Sequence, residues 1–99
     1  GEREGGETKA SLNELAGFLL ENPSMKLRIH GHTDRAGDPG LNKALSLERA
    51  GSVRDFLIEQ GVPFESLRIS GWGGTRPTAS NATEAGKSKN RRVELEVER

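Results

Sequence analysis

The sequence predicts an α/β domain, a two-layer sandwich in which helices cover one face of a small mixed β-sheet. Three observations support this: two segments have apolar residues at helical spacing, three others alternate apolar and polar residues, and the two kinds of segment are interleaved. The predicted order is helix, strand, helix, strand, short helix and strand. A chain of 99 residues is long enough for one such domain with a single modest core.

Two long segments have the apolar spacing of amphipathic helices. The first covers residues 8–21, is followed by Asn22 and Pro23, and is marked by Leu12, Leu15, Ala16 and Leu19. The second covers roughly residues 41–60 and is marked by Leu41, Ala44, Leu45, Val53, Phe56 and Leu57. Gly61 is the expected C-cap of this helix. A short third helix is predicted after Asn81, which forms a possible capping box with Glu84.

Three segments alternate in the manner of half-buried strands. The first ends at Gly31 and carries Met25, Leu27 and Ile29. The second is closed by the run GWGG at residues 71–74 and carries Leu67 and Ile69. The last carries Val93, Leu95 and Val97. The first seven residues, GEREGGE, are charged and rich in glycine, so we expect residues 1–7 to be flexible and residues 8–99 to form the domain.

The composition argues against several classes of function. Fifteen basic residues balance fifteen acidic ones, whereas broad nucleic-acid binding needs a basic field. No run of eighteen apolar residues is present, so we expect no membrane insertion by this domain. The absence of cysteine excludes disulfides and thiolate chemistry, and Ser46 has no histidine and acid at a spacing typical of a nucleophile. We therefore expect no enzyme and no cofactor.

A metal site is also not expected. His30, His32 and Asp34 spell HxHxD, which begins the metal motif of metallo-β-lactamase-type hydrolases. That motif continues with another histidine where this chain has Arg35, and the sequence contains two histidines in all. We expect His30 to face solvent at the end of its strand and His32 to neighbour a ligand pocket.

Asp34 and Arg49 are the strongest candidates for a binding site. Asp34 follows the first predicted strand, and Arg49 shares a helix stripe with Asn42 and Leu45 that we expect to face the core. A carboxylate and a guanidinium on neighbouring elements suit a ligand that carries an ammonium beside a carboxylate. The alternatives are structural: Arg49 pairs with Asp34 or Glu48, or its head reaches solvent.

A specific run of residues resembles a known family. Residues 33–61 read TDxxGxxxxNxxLSxxRAxxVxxxLxxxG, and residues 90–94 read NRRVE. These runs resemble the OmpA-like peptidoglycan-binding domain, and the resemblance covers roughly residues 9–97. It implies that the domain binds the diaminopimelate residue in the stem peptide of Gram-negative peptidoglycan. It also implies a location in the periplasm, where the domain would anchor a larger envelope protein to the cell wall.

The resemblance assigns roles to individual residues. The residue at the Asp34 position holds the ammonium of diaminopimelate, and the residue at the Arg49 position holds its carboxylate. The expected ligand-binding set is completed by Thr33, Asn42, Leu45, Arg91 and Arg92. In the structural alternative, Arg91 and Arg92 pair with carboxylates such as Glu94 or Asp34, and one of them supports the site from behind.

The chain departs from the family at its start and keeps a second hypothesis open. The family has a strand before its first helix, but residues 1–8 read GEREGGET, which cannot form a buried strand. The sheet would then have three recognisable strands and an exposed edge. On the second hypothesis the chain is an assembly domain of an envelope complex that forms a homodimer or docks through this edge, and Asp34 and Arg49 form a structural ion pair. Trp72 suits stacking on a sugar ring, although we expect it to pack partly buried against a helix.

Overall fold

The computed structural model describes residues 9–99, and its elements follow the predicted order. Within these residues the helices are α1 (Lys9–Glu21), α2 (Pro39–Glu59) and α3 (Glu84–Asn90). The strands are β1 (Lys26–His32), β2 (Leu67–Gly71) and β3 (Arg92–Glu98), and a 3₁₀ turn at Phe64–Ser66 precedes β2. The predictions of a flexible segment and of a missing leading strand concern residues 1–8, which lie outside the described residues.

The three strands form a mixed sheet in the order β2-β1-β3. Strands β1 and β2 are parallel, with Leu27 opposite Leu67. Strands β1 and β3 are antiparallel, from Lys26 opposite Glu98 to His32 opposite Arg92. The carboxyl end of β1 therefore lies beside the amino end of β3, and β2 and β3 form the two edges of the sheet that residues 9–99 build.

Successive residues of β1 point to opposite faces of the sheet. Leu27 and Ile29 are fully buried in the core with residues of α1 and α2, which include Leu12, Ala16, Leu19, Ala50 and Leu57. The opposite face carries a diagonal ion pair between Arg28 and Glu98, and two diagonal contacts between a histidine and a carboxylate: His30 with Glu96 and His32 with Glu94. The predicted two-layer sandwich, with helices on one face of the sheet, is confirmed.

Helix α2 begins and ends as its sequence suggests. The side chain of Asp38 caps its start by accepting a hydrogen bond of 2.8 Å from the backbone N–H of Leu41, and Pro39 occupies the first turn. The C-cap is Gln60, and Gly61 follows it with a positive φ of 104°. The predicted stop is therefore displaced by one residue. Within residues 9–99, no helix combines the length and apolar character that crossing a bilayer requires.

The buried face of α2 agrees with the prediction near the end of the helix, where Val53, Phe56 and Leu57 pack in or against the core, and differs from it at Leu45 and Arg49. The face is formed by small and polar residues, namely Asn42, Ser46, Ala50 and Gly51, and near the end of the helix by Leu57. Leu45 is 42% exposed and Arg49 is also exposed, so their predicted place on the core side is wrong. The reason is a very close contact between α2 and β1: a Cβ atom on Gly31 would overlap the backbone carbonyl of Ser46. Small side chains permit this approach, and hydrophobic spacing does not reveal them.

The start of α3 also differs from the prediction. Thr83 caps this helix by accepting a hydrogen bond of 3.0 Å from the N–H of Gly86. The predicted capping by Asn81 is wrong. The Oδ1 atom of Asn81 instead accepts hydrogen bonds from the backbone N–H of Arg35 and from the side chain of Asn90, each 3.1 Å long. Asn81 thus ties the loop after β1 to the end of α3.

Candidate functional site

The predicted site residues surround the carboxyl end of β1. Thr33 and Asp34 follow this strand directly, and Arg49 reaches it from α2 through a bond of 3.3 Å from Nη1 to the backbone oxygen of His32. Arg91 and Arg92 arrive at the same place because β3 begins there, antiparallel to β1. Segments that are far apart in the sequence are thus assembled at one end of the sheet.

The carboxylate of Asp34 is held by two strong partners. Its residue is 9% exposed, its Oδ1 accepts a bond of 2.9 Å from the N–H of Ala36, and its Oδ2 accepts a bond of 2.6 Å from Arg91. The bond from Ala36, followed by the bond from Arg91, lowers the pKa of Asp34 below its usual value. Asp34 is therefore an anion in a fixed position at neutral pH.

Thr33 and Asn42 hold the backbone of the loop that carries Asp34. The hydroxyl of Thr33 donates to the backbone oxygen of Asp34 at 2.8 Å, and Asn42 donates from Nδ2 to the backbone oxygen of Ala36 at 2.9 Å. Both side chains are buried. Their described bonds orient the loop, and their contact with a ligand stays a prediction.

Arg91 and Arg92 each have carboxylate partners, as the structural alternative for these two residues predicted. Arg91 bridges Asp34 and Glu84, with bonds of 2.6 and 3.1 Å. Arg92 donates to Glu94 at 2.8 Å and to the backbone oxygen of Asn90 at 3.2 Å. The positive charge of both guanidinium groups is therefore already compensated within the domain, and Arg91 supports Asp34 from behind.

Arg49 differs from Arg91 and Arg92 because it has no carboxylate partner in the described residues. Within residues 9–99 its guanidinium forms no ion pair, and its described bond goes to the backbone oxygen of His32. With Arg91, Arg92 and Val93 it lines an open cavity of about 210 Å³. The predicted structural pairing of Arg49 with Asp34 or Glu48 is wrong, because Asp34 pairs with Arg91 and no ion pair reaches Glu48 in the described part of the chain.

Asp34 and Arg49 are linked through Arg91 rather than by direct contact. Arg91 bonds to Asp34 and borders the cavity that Arg49 lines. Asp34 itself is not among the residues that line this cavity. Leu45 is exposed on the same helix, four residues before Arg49, and its contact with a ligand stays a prediction.

His30 occupies a different environment from the one expected, whereas His32 lies beside Arg49, whose guanidinium bonds to its backbone oxygen. His30 does not face solvent: its Nδ1 accepts a bond of 3.1 Å from the indole of Trp72, and its Nε2 lies 3.0 Å from Glu96. His32 is 1% exposed. Burial, followed by the nearby charge of Arg92, lowers the pKa of His32, so it is neutral at neutral pH. No group of three or more potential metal ligands occurs among the described residues.

Asn90 is a site residue that reasoning from the sequence assigned no role. Its side chain is fully buried and accepts bonds of 2.8 and 2.9 Å from the N–H groups of Thr78 and Ala79. It also donates to Asn81. These bonds fix the chain next to Arg91, and so they help to orient the partner of Asp34. The available signal was the position of Asn90 at the head of the NRRVE run.

Comparison with known proteins identifies the family. The model of the OmpA family matches residues 6–91. The chain is 44% identical over 90 residues to outer membrane porin F of Pseudomonas aeruginosa, a match that covers 90% of this chain and 26% of the porin. It is 43% identical over 86 residues to the peptidoglycan-binding protein ArfA of Mycobacterium tuberculosis, covering 87% of this chain and 26% of ArfA. The chain thus spans about a quarter of the length of these two relatives.

A solved structure agrees with the family match. The fold resembles that of the peptidoglycan-associated lipoprotein from Burkholderia pseudomallei with a TM-score of 0.88 and 32% sequence identity. This match covers 91% of this chain and 76% of the lipoprotein chain. The family match spans most of the sequence, and the arrangement of helices and strands is shared. The chain therefore belongs to the OmpA family.

Proposed function

We propose that this domain binds peptidoglycan non-covalently and anchors a larger envelope protein to the cell wall in the periplasm. Membership in the OmpA family supports this role. So do the names of two similar proteins, one called peptidoglycan-binding and the other peptidoglycan-associated, and the similarity to an outer membrane porin. The proposed role is binding rather than catalysis, and it needs no cofactor.

The observation that carries the proposal is the contrast between a fixed anion and a neighbouring cation that has no ion-pair partner in residues 9–99. A carboxylate has about four lone-pair positions, and protein donors use two of those on Asp34. Asp34 can therefore accept further hydrogen bonds from a ligand ammonium. The planar guanidinium of Arg49 can hold a carboxylate through two parallel bonds.

The ligand group proposed for this pair is the end of the diaminopimelate side chain. It carries an ammonium and a carboxylate on one carbon atom, so it presents both charges side by side. The ammonium would bond to Asp34 and the carboxylate to Arg49. Arg91 and Arg92 already have anionic partners, so Arg49 supplies the charge that selects the carboxylate.

Sedimentation with purified sacculi tests the proposal. The parent domain should pellet with sacculi, and Arg49→Ala should remain in the supernatant. The matched control is Arg54→Ala, which removes another arginine from the same helix, one that lies beside Asp55 and the ring of Phe64. The control should pellet like the parent. If Arg49→Ala also pellets like the parent, the proposed mechanism is contradicted.

A second candidate function is assembly through the edge of the sheet. Within the described residues, β3 pairs with β1 on one side and with no strand on the other, and its Val97 is 45% exposed. An unpaired edge can template pairing with a second copy of the chain. The ion pair between Asp34 and Arg49 that was part of this hypothesis is not formed, so the hypothesis now depends on the edge.

The solution mass across a concentration series tests this second function. A dimer that appears with rising concentration and disappears in Val97→Lys would support it, because a charge on an edge strand opposes pairing. A strict monomer at every concentration would contradict it. Sacculus binding by a strict monomer would leave the first proposal intact.

A further inference from the structure

A second cleft lies beside the start of α2, on the far side of the loop that carries Asp34. Its volume is about 660 Å³, and it runs between the first turn of α2 and the turn that follows β2. Trp72, the one tryptophan of the sequence, lines it together with Arg35, Lys43 and Thr75. Binding sites for small molecules commonly have volumes of about 300–1,000 Å³.

The indole of Trp72 is held in a fixed orientation. Its Nε1–H donates to Nδ1 of His30 at 3.1 Å, and the guanidinium of Arg76 lies 3.5 Å from the centre of its ring. The turn itself is closed by Thr75, whose hydroxyl donates to the backbone oxygen of Trp72 at 2.7 Å. A ring that is already oriented loses little conformational entropy when a ligand packs against it.

The described lining of the cleft combines apolar surface with positive charge. Pro39, Gly40 and Gly74 contribute little beyond backbone and ring atoms, and no carboxylate lines the cleft among residues 9–99. Arg35 and Lys43 are exposed, and neither side chain forms an ion pair in that part of the chain. The cleft therefore offers one aromatic surface and two cationic side chains on flexible stems, each of which can donate several hydrogen bonds.

The cleft lies next to Asp34 and is separated from it by the loop after β1. The turn after β2 packs directly on the loop after β1, since a Cβ atom on Gly74 would lie 2.6 Å from the backbone oxygen of Asp34. Asn42 borders the cleft and bonds to the backbone of the same loop. The loop after β1 thus carries Asp34 and also contributes Arg35 to the lining of the cleft, so the cleft and Asp34 are neighbours along one short segment.

We propose that this cleft is a saccharide subsite that takes an N-acetylated sugar ring of the glycan strand. A pyranose ring has an apolar face that matches the indole of Trp72, and a rim of hydroxyl and acetamido oxygens that can accept bonds from Arg35 and Lys43. The inference rests on the proposed function, because the glycan and the stem peptide belong to the same peptidoglycan molecule.

The emission of Trp72 provides a direct test, because no other tryptophan contributes to it. The probe is the disaccharide of N-acetylglucosamine and N-acetylmuramic acid, with the lactyl carboxylate capped as an amide so that no free acid attracts the cations. We expect this disaccharide to shift or quench the emission in a saturable manner. The isolated diaminopimelate stem peptide should bind by calorimetry without this change in emission.

Charge-reversal variants sharpen the test. Lys43→Glu should weaken disaccharide binding about tenfold, as the loss of one good polar contact does, and should leave the affinity for the stem peptide unchanged. The control is Arg99→Glu, which makes the same charge change beyond the far end of β3. The saccharide subsite is overturned if the disaccharide leaves the emission unchanged, or if the stem peptide alone changes it and Lys43→Glu weakens that peptide. Loss of stem-peptide binding in the parent would instead contradict the proposed function.

Discussion

Asp34 and Arg49 lie at the same end of the sheet, yet their charges differ in burial and in hydrogen-bond partners. Asp34 is nearly buried and is held by Ala36 and Arg91. Arg49 is exposed on α2, and within residues 9–99 it bonds to one backbone oxygen and to no carboxylate. Asp34 is therefore part of the hydrogen-bond network of the folded domain, whereas Arg49 is held near it without an ion-pair partner in residues 9–99.

Because only Asp34 has charged partners in the fold, the contributions of Asp34 and Arg49 to folding stability should differ. Removing a buried charge that has partners leaves those partners unsatisfied, which costs folding free energy. Removing an exposed charge without an ion pair leaves the fold nearly unchanged. Substitutions at the two positions should therefore have the same effect on ligand binding and different effects on unfolding.

The largest expected effect is the loss of binding in Arg49→Ala. Truncating one partner of a desolvated charge pair costs about 2–5 kcal/mol of binding free energy, whereas the free energy of unfolding should change by no more than about 0.5 kcal/mol. Calorimetry with a diaminopimelate stem peptide and unfolding in urea measure the two quantities. A clear loss of stability in Arg49→Ala would show that this arginine is structural, and would abolish the contrast with Asp34.

The next effect concerns the donor geometry of the cation at position 49. Arg49→Lys keeps the positive charge and loses the two-donor fork, so it should bind the stem peptide about 1.5–3 kcal/mol more weakly. A stem peptide with lysine in place of diaminopimelate has the ammonium but no side-chain carboxylate, and it should lose a similar amount with the parent domain. Equal affinities for the two peptides would mean that Arg49 does not contact the ligand.

The third effect is on stability. Asp34→Ala leaves the N–H of Ala36 and the Nη1 group of Arg91 without their acceptor, so the free energy of unfolding should fall by about 1–3 kcal/mol, in addition to the loss of binding. Asp55→Ala is the control, because that carboxylate is exposed beside Arg54 and should matter little. If Asp34→Ala and Asp55→Ala unfold at the same urea concentration, the hydrogen bonds of Asp34 do not stabilise the fold.

The smallest effect is a dependence on pH. The pKa of Asp34 is lower in the folded domain than its usual value of 3.8. The stabilisation from its charge is therefore complete above that value and is lost as the pH falls through the folded pKa. The difference in unfolding free energy between the parent and Asp34→Asn should be constant above about pH 5 and should narrow in more acidic solution. If this difference in unfolding free energy widened in acid, the pKa of Asp34 would be raised rather than lowered in the fold, which would contradict the bonds assigned from Ala36 and Arg91.

Much of the fold could be predicted because its signals are local. The alternation of Leu27 and Ile29 with charged residues, and the helical spacing of Leu12, Ala16 and Leu19, are visible within short windows. The same spacing located Val53, Phe56 and Leu57 at the core, but it could not predict the part of the buried face of α2 that contacts β1. Its contact with β1 is so close that Ser46 and other small residues form it, and apolar spacing carries no information about such a face.

The candidate site was only partly predictable for a related reason. Asp34 and Arg49 could be singled out because each is a charged residue close to a predicted secondary-structure element. The partner of Asp34 is Arg91, which lies 57 residues further along the chain. That contact requires β3 to pair antiparallel with β1 in one particular register, and no pattern within either strand specifies the register.

The antiparallel pairing of β1 and β3 has a mechanical consequence. A ligand bound at Asp34 and Arg49 would hold β1 at its carboxyl end, and a load entering through the Glu98 end of β3 would act at the opposite pole of the sheet. The two strands would then be pulled past each other along their length. Because cross-strand hydrogen bonds run perpendicular to the strands, they would bear this load together in shear rather than opening one after another. A domain with this geometry resists tension along its strands better than peeling from the side.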